Sequence, residues 1–567
     1  MTTPTPEDGP AGILAPANAL ERLRAAVLRA AQQLLIDAPG GAGAALVDGG
    51  NSITLERPRL EKFGDYSTNA ALLLAPSLKA PPRDVAERLG EALAAELGEQ
   101  LQRFEVAGPG FVNLFLADAW LMDALAEILA AGDSFGVGQA SAPQHILVEF
   151  VSANPTGPMH VGHARNAAYG DVLARMLALH GHRVEREFYV NDAGSQVRKL
   201  GESIAAVARG EQPPEDGYQG EYVGELAAAI ENARGADPAE LGRAAVAIVI
   251  ESIKASLAAF GVAPFDHWFF ESALHEGDPS PVTRALAVLA EQGHSYHSEG
   301  ALWLRTTDFG DDKDRVLVRS NGEHTYFASD IAYHQNRLER GLRHQIDVWG
   351  SDHHGYVQRM KAAYEALGGN QQELELLIMQ LVHLVRSGER TQMSKRAGEF
   401  VTLDELVVEV GVDAARWYLL ARSHDRTVDL DLDLAREQSA ENPVYYVQYA
   451  HARIASMLAR VDGERLQQAA TLTSLTQPLH PSERALVKRL LDFPAELAEA
   501  VQMRGPHRIV AYALDLAQTF TAFYRDCRVL GAEPADLELL RIALCLVSAR
   551  TIARCLGLLG VSAPDQM

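Results

Sequence analysis

Two histidines that flank a valine and a glycine, His160-Val161-Gly162-His163, are the side chains whose types and spacing point most directly to chemistry. A helix leaves its first backbone N–H groups without partners and carries partial positive charge at that end. Imidazole N–H groups beside such an end add hydrogen-bond donors, and Gly162 leaves room for a flat base to approach the backbone. The pattern predicts a binding site for a nucleotide triphosphate, with His160, Gly162 and His163 facing the phosphates or the base.

The residues around these histidines predict a strand, a turn, a helix and a second strand. His145–Ser152 is rich in apolar and β-branched residues and stops at a turn-forming cluster that contains Gly157. Apolar residues then recur at helical spacing from Val161 to near Gly181, and Arg183–Val190 is the next predicted strand. This unit is typical of a Rossmann-like, doubly wound parallel sheet, which binds its ligand at the carboxyl ends of the strands.

An i, i+3 pair of histidines could also bind zinc. No third His or Cys ligand lies nearby at a familiar spacing, and the glutamate of an H-E-x-x-H metallopeptidase is missing from His160–His163. We therefore predict no protein-bound metal.

A second chemical feature is the cationic stretch Arg390–Gly398, which follows the apolar run Leu376–Val385. It contains Met393, Ser394 and Lys395, and a lysine in a loop of this kind is suited to neutralising charge that builds on a leaving pyrophosphate. A solvated basic loop has the same composition, so the stretch is informative mainly together with the histidine pair.

Length and composition bound the class of protein. At 567 residues the chain is long enough for about three to four domains of roughly 150 residues. Its 47% hydrophobic and 22% charged content is that of a globular protein, and we expect no membrane span, no signal peptide and a cytoplasmic location. Cys527, Cys545 and Cys555 lie in apolar helical patterns and are predicted to be buried free thiols.

The formal net charge of −24 argues against a binder of nucleic acids, because phosphate contacts need local Lys and Arg. The charge is unevenly distributed, however. Residues 441–567 contain 13 Lys and Arg against 13 Asp and Glu, so the first 440 residues carry the whole excess of acid. A local basic face therefore remains possible.

Breaks in pattern divide the chain into four parts. An α+β region at 1–130 ends at a linker, Gly132–Pro143, and the nucleotide-site sheet follows. Residues 191–321 are typical of an insertion between two halves of that sheet. The predicted parts are 1–130, 131–390 with the insertion, 391–440 with the cationic loop, and an all-α bundle at 441–567; further strands are predicted at Ala301–Arg305, Val316–Arg319 and Ile346–Gly350.

Ordered motifs along nearly the whole chain resemble the bacterial type of arginyl-tRNA synthetase, a class I aminoacyl-tRNA synthetase. The matching stretches are KFGDYSTN from Lys62, GPGFVN from Gly108, ANPTGPMHVGHARN from Ala153, NDAGSQV from Asn191, WFFES from Trp268, TYFASDIAY from Thr325, WGSDHHGY from Trp349, QMSKRAG from Gln392, DAAR from Asp413 and the tail VSAPDQM. The resemblance departs at Gln392, where the fullest form of the loop motif has a lysine. Arg390 is one candidate to replace it.

The resemblance implies the reaction. Arginine would attack the α-phosphate of Mg²⁺-bound ATP through its α-carboxylate, and the adenylate would be transferred to the terminal ribose of tRNA(Arg), with exchange requiring tRNA. Catalysis is then positioning and charge stabilisation, because the substrate supplies the nucleophile. The implied catalytic residues are His160, His163 and Lys395, and the implied ATP-binding residues are Gly157, His160, Gly162, His163, Met393, Ser394 and Lys395.

The resemblance also implies how the other substrates bind. A guanidinium pairs with carboxylates, and the implied arginine-binding residues are Glu149, Asn154, Glu271, Tyr326, Asp330 and His354, with Asp352 as an alternative to His354. The N-terminal domain would contact the outer corner of the tRNA, and the C-terminal bundle would read the anticodon by stacking. The candidates are Asn69, Tyr445, Tyr446, Tyr449, Arg453, Tyr524 and Arg528. The family further implies a monomer with no DNA partner.

Other functions share parts of this pattern. A different class I aminoacyl-tRNA synthetase or a small-substrate nucleotidyltransferase would have the same histidine pair, but a nucleotidyltransferase needs neither the helical C-terminal domain nor the lysine loop. A non-catalytic RNA-binding relative would have no need of intact His160, His163 and Lys395.

Overall fold

The computed structural model describes residues 18–37, 53–58, 60–390, 401–475 and 477–567. In the N-terminal region, a four-stranded antiparallel sheet of order β1-β2-β4-β3 packs against helices. Its elements are α1 (Ala19–Ile36), β1 (Leu55–Glu56), β2 (Tyr66–Thr68), α2 (Ala70–Leu78), α3 (Pro82–Leu97), β3 (Leu101–Ala107), β4 (Phe111–Leu116) and α4 (Asp118–Ala131). Asn18 caps α1 through a reciprocal hydrogen-bond pair with Glu21, which explains why this helix begins where its apolar period begins.

The central region contains a five-stranded parallel sheet of order β12-β11-β5-β6-β7. The elements of the region are β5 (His145–Glu149), α5 (Val161–His180), β6 (Arg183–Val190), α6 (Ser195–Arg209), α7 (Glu221–Ala229), α8 (Pro238–Ala259), β7 (His267–Phe270), α9 (Pro281–Glu291), β8 (Ser295–Ser298), β9 (Ala301–Leu304), β10 (Arg315–Val318), α10 (Tyr326–Glu339), β11 (His344–Gly350), α11 (Val357–Ala366), β12 (Leu374–Met379), β13 (Val382–Arg386), β14 (Glu389–Arg390), α12 (Leu403–Val410), α13 (Val412–Leu420), β15 (Val428–Asp431) and α14 (Leu432–Arg436).

Side chains that alternate along these strands belong to two different hydrophobic clusters. Val148 and Phe188 pack in the cluster that contains the apolar residues of α5, whereas Tyr189 and Trp349 pack in the cluster of α9, α10 and α11. Because successive residues of a strand point to opposite faces, helices cover both faces of the sheet. The predicted Rossmann-like, doubly wound fold is confirmed.

Two predicted strands lie outside the parallel sheet. The strands predicted at Ala301–Arg305 and Val316–Arg319 are β9 and β10, which form a separate antiparallel sheet of order β10-β9-β8. The short connections between these strands allow only antiparallel pairing, since a parallel pair needs a longer crossover. The strand predicted at Ile346–Gly350 is β11 and continues the parallel sheet.

The first strand of the site is shorter than its sequence predicts. β5 ends at Glu149 rather than Ser152, because Val151 and Ser152 have positive φ angles of 70° and 41°. α5 then packs closely on this segment: a Cβ on Gly170 would lie 2.2 Å from the ring of Phe150. The glycine therefore lets helix and strand end approach each other.

The C-terminal region is a bundle of six helices, and this confirms the predicted all-α part. They are α15 (Pro443–Leu458), α16 (Gly463–Ala470), α17 (Pro481–Leu491), α18 (Phe493–Gln502), α19 (Pro506–Asp526) and α20 (Ala535–Leu559). Cys527, Cys545 and Cys555 are buried and not in disulfides, as predicted.

The helix α20 is long and apolar enough to cross a membrane by length and composition, and it is the one such helix among the described residues. Of its most apolar window, 67% is buried inside the molecule. It therefore serves as a core helix of the bundle, packed against α15, α16 and α19.

Candidate active site

His160 and His163 lie at the N-terminus of α5, beyond the carboxyl end of β5. His160 caps the helix: its Nδ1 accepts the Gly162 N–H at 3.1 Å, and its own backbone N–H is 3.3 Å from His163 Nδ1. The two rings stack with centroids 3.8 Å apart and 22° between their planes. Because both Nδ1 atoms accept hydrogen bonds, each neutral ring carries its proton on Nε2 and is a donor there. The pair can offer two N–H groups beside a helix N-terminus, which is the arrangement expected for an anion.

The two glycines predicted to bind ATP have close neighbours in the structure. A Cβ on Gly162 would lie 2.9 Å from His160 Cε1, so the ring of His160 fills the space that sequence reasoning reserved for a base. A Cβ on Gly157 would lie 3.2 Å from Cζ of Tyr222, whose hydroxyl donates to the carbonyl of Thr156 at 3.1 Å. The two glycines therefore leave room for a neighbouring aromatic ring, Gly157 in the loop after β5 and Gly162 in the first turn of α5.

Met393, Ser394 and Lys395 lie outside the described residues, but the residues on both sides of 391–400 are described. On one side, the guanidinium of Arg390 is 3.0 Å from the carboxylate of Asp429. On the other side, the carbonyl of Val401 accepts the Val161 N–H at 3.2 Å, and the Leu403 N–H donates to the carbonyl of Met159 at 2.8 Å. The chain that follows residue 400 is thus hydrogen-bonded to the start of the histidine helix and to the residues just before it.

A row of three buried carboxylates crosses the sheet on the face that α10 covers, which is the face opposite to α5. Glu149 is in register with Glu187 on β6 and with Asp347 on β11, so the three side chains share one face. The fully buried guanidinium of Arg337 lies 3.0 Å from Glu187, 2.8 Å from Asp347 and 3.5 Å from Glu149. Arg340 adds a contact of 2.5 Å to Glu187. Three acids thus face two guanidinium groups, which leaves one negative charge without a full partner.

Sequence reasoning found Glu149 but missed the other members of this row. A usable signal was present, because buried parallel strands are usually apolar throughout. Asp347 interrupts the apolar run of β11, and a buried charge at such a place requires a partner; Glu187 is one of four charged residues in β6 and was a weaker signal. The spacing of Arg337 on α10 gave no comparable signal.

The pKa of Glu149 reflects its unequal partners. Burial and the nearby charge of Asp347 raise the pKa of this carboxyl from 4.5 to about 8, against the opposing effect of Arg337. The hydroxyl of Ser152 donates a short hydrogen bond to the same carboxylate. An arriving cation would favour the ionised form of Glu149.

Glu271 and Asp330 are brought together with Glu149 around one tyrosine. Burial and the charges of Glu271, Asp330 and Glu149 all raise the pKa of the Tyr189 phenol. Glu271 accepts from the side-chain amide of Asn191 at 3.0 Å, and burial raises its pKa to about 7.

Asp330 accepts a hydrogen bond from the Tyr356 hydroxyl at 2.6 Å, and burial raises the pKa of its carboxyl to about 6. The structure therefore gathers three of the predicted arginine-binding acids.

The remaining predicted arginine-binding residues lie at the outer side of this cluster. Tyr326 is the first residue of α10, is 67% exposed and precedes Asp330 by four positions, so the two share a helix face. His354 and Asp352 are exposed in the short 3₁₀ helix Ser351–Tyr356 that also carries the Asp330 partner. Asn154 is exposed in the turn after β5. All four are accessible to a small molecule at the carboxyl ends of the strands.

The predicted anticodon residues gather at one cavity of the C-terminal bundle. Tyr449, Arg453, Tyr524 and Arg528 line a cavity of about 540 Å³. The Arg453 guanidinium lies 4.8 Å from the ring centre of Tyr449 and 5.5 Å from that of Tyr524. Tyr445 stacks on Tyr449 with 6.2 Å between centroids and an interplanar angle of 8°. We call this cavity the C-terminal groove.

Two other predicted tRNA residues make internal contacts. Tyr446 packs against the hydrophobic core and donates from its hydroxyl to Thr521 Oγ1 at 3.0 Å, so it does not line the C-terminal groove. Asn69 is half-buried, and its side-chain oxygen accepts the Thr54 N–H at 2.8 Å.

Comparison with known proteins gives matches along most of the chain. The family models that match are the arginyl tRNA synthetase N terminal domain at residues 21–116, the catalytic domain of class I (R) tRNA synthetases at 124–227 and 277–458, and the DALR anticodon binding domain at 447–567.

Individual relatives match over nearly their full length. The arginine–tRNA ligase of Geobacillus thermodenitrificans is 44% identical over 544 residues, covering 94% of this chain and 97% of the relative. That of Desulfosudis oleivorans is 46% identical over 533 residues, covering 91% and 95%. The solved arginyl-tRNA synthetase of Thermus thermophilus superposes with a TM-score of 0.73 at 26% identity, covering 96% of this chain and 100% of that one.

Proposed function

The chain belongs to the arginyl-tRNA synthetase family and therefore ligates arginine to tRNA in protein synthesis, and we propose which of its residues carry out the two steps. In the first step the α-carboxylate of arginine attacks the α-phosphate of ATP and pyrophosphate leaves. In the second, a hydroxyl of the terminal ribose of tRNA attacks the carbonyl carbon of the adenylate and AMP leaves. Neither step needs a nucleophile from the protein, so catalysis consists of positioning and stabilisation of phosphate charge.

We propose that His160 and His163 bind the phosphates of ATP through their Nε2–H groups. The support is their place at the N-terminus of α5, with both Nδ1 atoms already accepting hydrogen bonds. Lys395, with Met393 and Ser394, is proposed to reach the same phosphates. The hydrogen bonds that join Val401 and Leu403 to the start of the histidine helix support this proximity.

The single observation that carries the arginine site is the group of acids around Tyr189. Burial and neighbouring negative charge raise the pKa of Glu149 to about 8, and burial raises that of Glu271 to about 7 and that of Asp330 to about 6. The negative charge of these acids is not fully balanced: Glu149, for example, shares the guanidinium of Arg337 with Glu187 and Asp347. Free arginine brings two positive groups, the guanidinium and the ammonium, and would satisfy them. Tyr326, Asn154 and His354 are proposed to complete the site from its outer side.

The tRNA is proposed to contact both ends of the molecule. The C-terminal groove offers exposed aromatic rings with a guanidinium between them, which suits unpaired anticodon bases. Asn69 is proposed to lie near the outer corner of the tRNA. We further propose that ATP enters as its Mg²⁺ complex and that the enzyme acts as a cytoplasmic monomer without membrane or DNA partners.

The proposal for the histidines is tested with variants that keep the helix intact. His160→Asn retains an N-cap acceptor, and His163→Ala removes the second ring. We expect each to lower the rate of tRNA-dependent, arginine-dependent ATP–pyrophosphate exchange by about 100-fold, the effect of removing one donor from a developing oxyanion. Lys395→Ala should behave similarly.

His180→Ala is the matched control, because His180 is the last residue of the same helix. It should leave exchange within about twofold, which we take as the limit for a change that touches no substrate. A doubly substituted enzyme, His160→Asn with His163→Ala, that is folded and exchanges at the unmodified rate would disprove the phosphate-binding role.

A further inference from the structure

The backbone between Glu149 and Asn154 has an unusual conformation. Val151 and Ser152 have φ angles of 70° and 41°, and the Ser152 N–H donates to the carbonyl of Phe150 at 3.0 Å, which closes a three-residue turn. A left-handed conformation is rare for a β-branched residue and costs about 1–3 kcal/mol. The surrounding structure must therefore hold this turn in place.

Asn166 makes the hydrogen bonds that hold the turn. Its side-chain oxygen accepts the Val151 N–H at 2.6 Å, and its side-chain nitrogen donates to the carbonyl of Val348 at 2.8 Å. Asn166 is only 7% exposed and lies on α5, three residues after His163. One amide thus joins the histidine helix to the turn after β5 and to the end of β11.

This backbone turn also positions Glu149 of the proposed arginine site. Ser152 Oγ accepts the Tyr189 N–H at 3.1 Å and donates to the carboxylate of Glu149. A movement of Val151 would move Ser152 and with it the hydrogen bond to Glu149. Asn154 follows two residues later, so both residues lie on a segment whose position depends on Asn166.

We propose that Asn166 is a positioning residue for adenylate formation. By bonding the arginine-binding segment to the helix that carries His160 and His163, it would set the distance between the carboxylate of arginine and the α-phosphate of ATP. This inference rests on the proposed roles of Glu149 and of the two histidines. Reacting atoms must approach to about 3–3.5 Å, and a misplacement of about 1 Å can cost on the order of 100-fold in rate.

The test compares Asn166→Ala, Asn166→Asp and the unmodified full-length enzyme in arginine- and tRNA-dependent ATP–pyrophosphate exchange, with rates expressed per active site. The alanine variant loses both hydrogen bonds, whereas Asp can still accept from Val151 but cannot donate to Val348. We expect kcat to fall about 100-fold for Ala and about 10-fold for Asp. The KM values for ATP and arginine should change by less than about threefold, because the binding groups themselves remain.

Asn442→Ala is the matched control. Asn442 is also buried, and its side-chain nitrogen donates to the carbonyls of Ala435 and Glu437 at 3.1 and 2.8 Å, away from the site. Its loss should lower the melting temperature as much as Asn166→Ala does, with no change in kcat per active site.

Three results would overturn the proposal. One is a kcat for Asn166→Ala within about threefold of the unmodified value. The second is a change confined to the KM for arginine, and the third is an equal fall in kcat for Asn442→Ala. His160→Asn in the same assay distinguishes a failure of the positioning role of Asn166 from a failure of the proposed phosphate site. If it loses activity while Asn166→Ala does not, only the positioning role is wrong. If neither loses activity, the proposed phosphate site is wrong as well.

Discussion

The carboxylate row on the α10 face of the sheet and the C-terminal groove use similar side chains, an arginine among acids and an arginine among aromatic rings, in opposite environments. In the row, the guanidinium of Arg337 is completely buried and contacts three carboxylates of three neighbouring strands. In the groove, Arg453 is exposed and lies between the rings of Tyr449, which is 42% exposed, and Tyr524, which is 37% exposed.

The difference suits what each region is proposed to bind. A buried charge is tolerated only when fixed partners satisfy it, so the row has one geometry before any substrate arrives. Such fixed geometry is what a step that depends on positioning requires. An exposed cation over an aromatic ring contributes only about 0.5–1 kcal/mol, so the groove can rearrange when a base stacks there. Under the proposed assignment, the small-substrate site is rigid and the RNA site is adaptable.

The largest expected effect comes from breaking the row. Arg337→Leu would leave Glu187 and Asp347 buried without their main cation. We expect the free energy of unfolding to fall by about 3–5 kcal/mol, as for other buried pairs that lose one partner. Urea denaturation at pH 7.5 measures this change.

Arg29→Leu is the control for that experiment. The side chain of Arg29 is 62% exposed and pairs with Glu96 at 2.6 Å on the surface. Its replacement should change the free energy of unfolding by no more than about 1 kcal/mol. A loss below about 1 kcal/mol for Arg337→Leu would mean that the buried row does not stabilise the sheet.

The next largest effect is expected at the acid nearest to solvent in the cluster. Asp330→Ala and Asp330→Asn should each lower kcat/KM for arginine in the exchange assay by about 100-fold, or about 3 kcal/mol, because a paired charge is lost. Tyr356→Phe is the control, since it removes only the hydroxyl that donates to Asp330. Near-normal exchange by the Asn variant would remove the charge of Asp330 from arginine recognition.

A third prediction concerns pH. Glu149 has a pKa raised to about 8 by burial first and by Asp347 second, so it is mostly protonated at pH 6.5. Arginine favours the ionised form, so binding should release a proton and affinity should rise about tenfold between pH 6.5 and pH 8. Calorimetry in two buffers of different ionisation enthalpy measures both quantities. Glu149→Gln should abolish this part of the pH dependence, and an unchanged dependence would assign it to another group.

The same shift has a consequence for stability in the absence of arginine. The folded carboxyl holds a proton that the unfolded chain, with its ordinary pKa of 4.5, has already lost. The contribution of Glu149 to stability is therefore fully present below pH 4.5 and is lost as pH rises through about 8. Saturating arginine should reduce this loss of stability at high pH, because it favours the ionised form of Glu149.

The comparison also explains what the sequence could predict. The histidine helix was readable because an apolar period of 3.6 residues begins at Val161 and ends at Gly181. The groove residues Tyr445, Tyr449 and Arg453 were named from the family resemblance, and their four-residue spacing on α15 puts them on one helix face.

Contacts between strands that are distant in sequence could not be predicted in the same way. The alignment of Glu187 with Glu149 depends on the register of two strands, and register follows from the folded sheet. The turn that ends β5 is held by a hydrogen bond from the Val151 N–H to the side-chain oxygen of Asn166, a residue 15 positions away in the sequence. Local periodicity carries no information on either feature, so the supporting residues of the site were missed while its central motif was found.

The smallest expected effect lies in the C-terminal groove. Tyr449→Ala removes a ring that a base could stack on, which is worth about 1 kcal/mol or more, so the KM for tRNA should rise about fivefold. Tyr449→Phe keeps the ring but loses the hydroxyl that accepts from Arg453 at 3.0 Å, so a change of less than twofold is expected. Tyr446→Phe is the control, because its hydroxyl bonds inside the bundle.

Aminoacylation at varied tRNA concentration measures all three groove variants. If the groove adapts to RNA, only the KM for tRNA changes, and kcat at saturating tRNA stays the same. A fall in kcat for Tyr449→Ala at saturating tRNA would contradict this separation. It would mean that the groove, like the carboxylate row, must be preorganised for the chemical step. The contrast between the two regions would then be one of exposure alone.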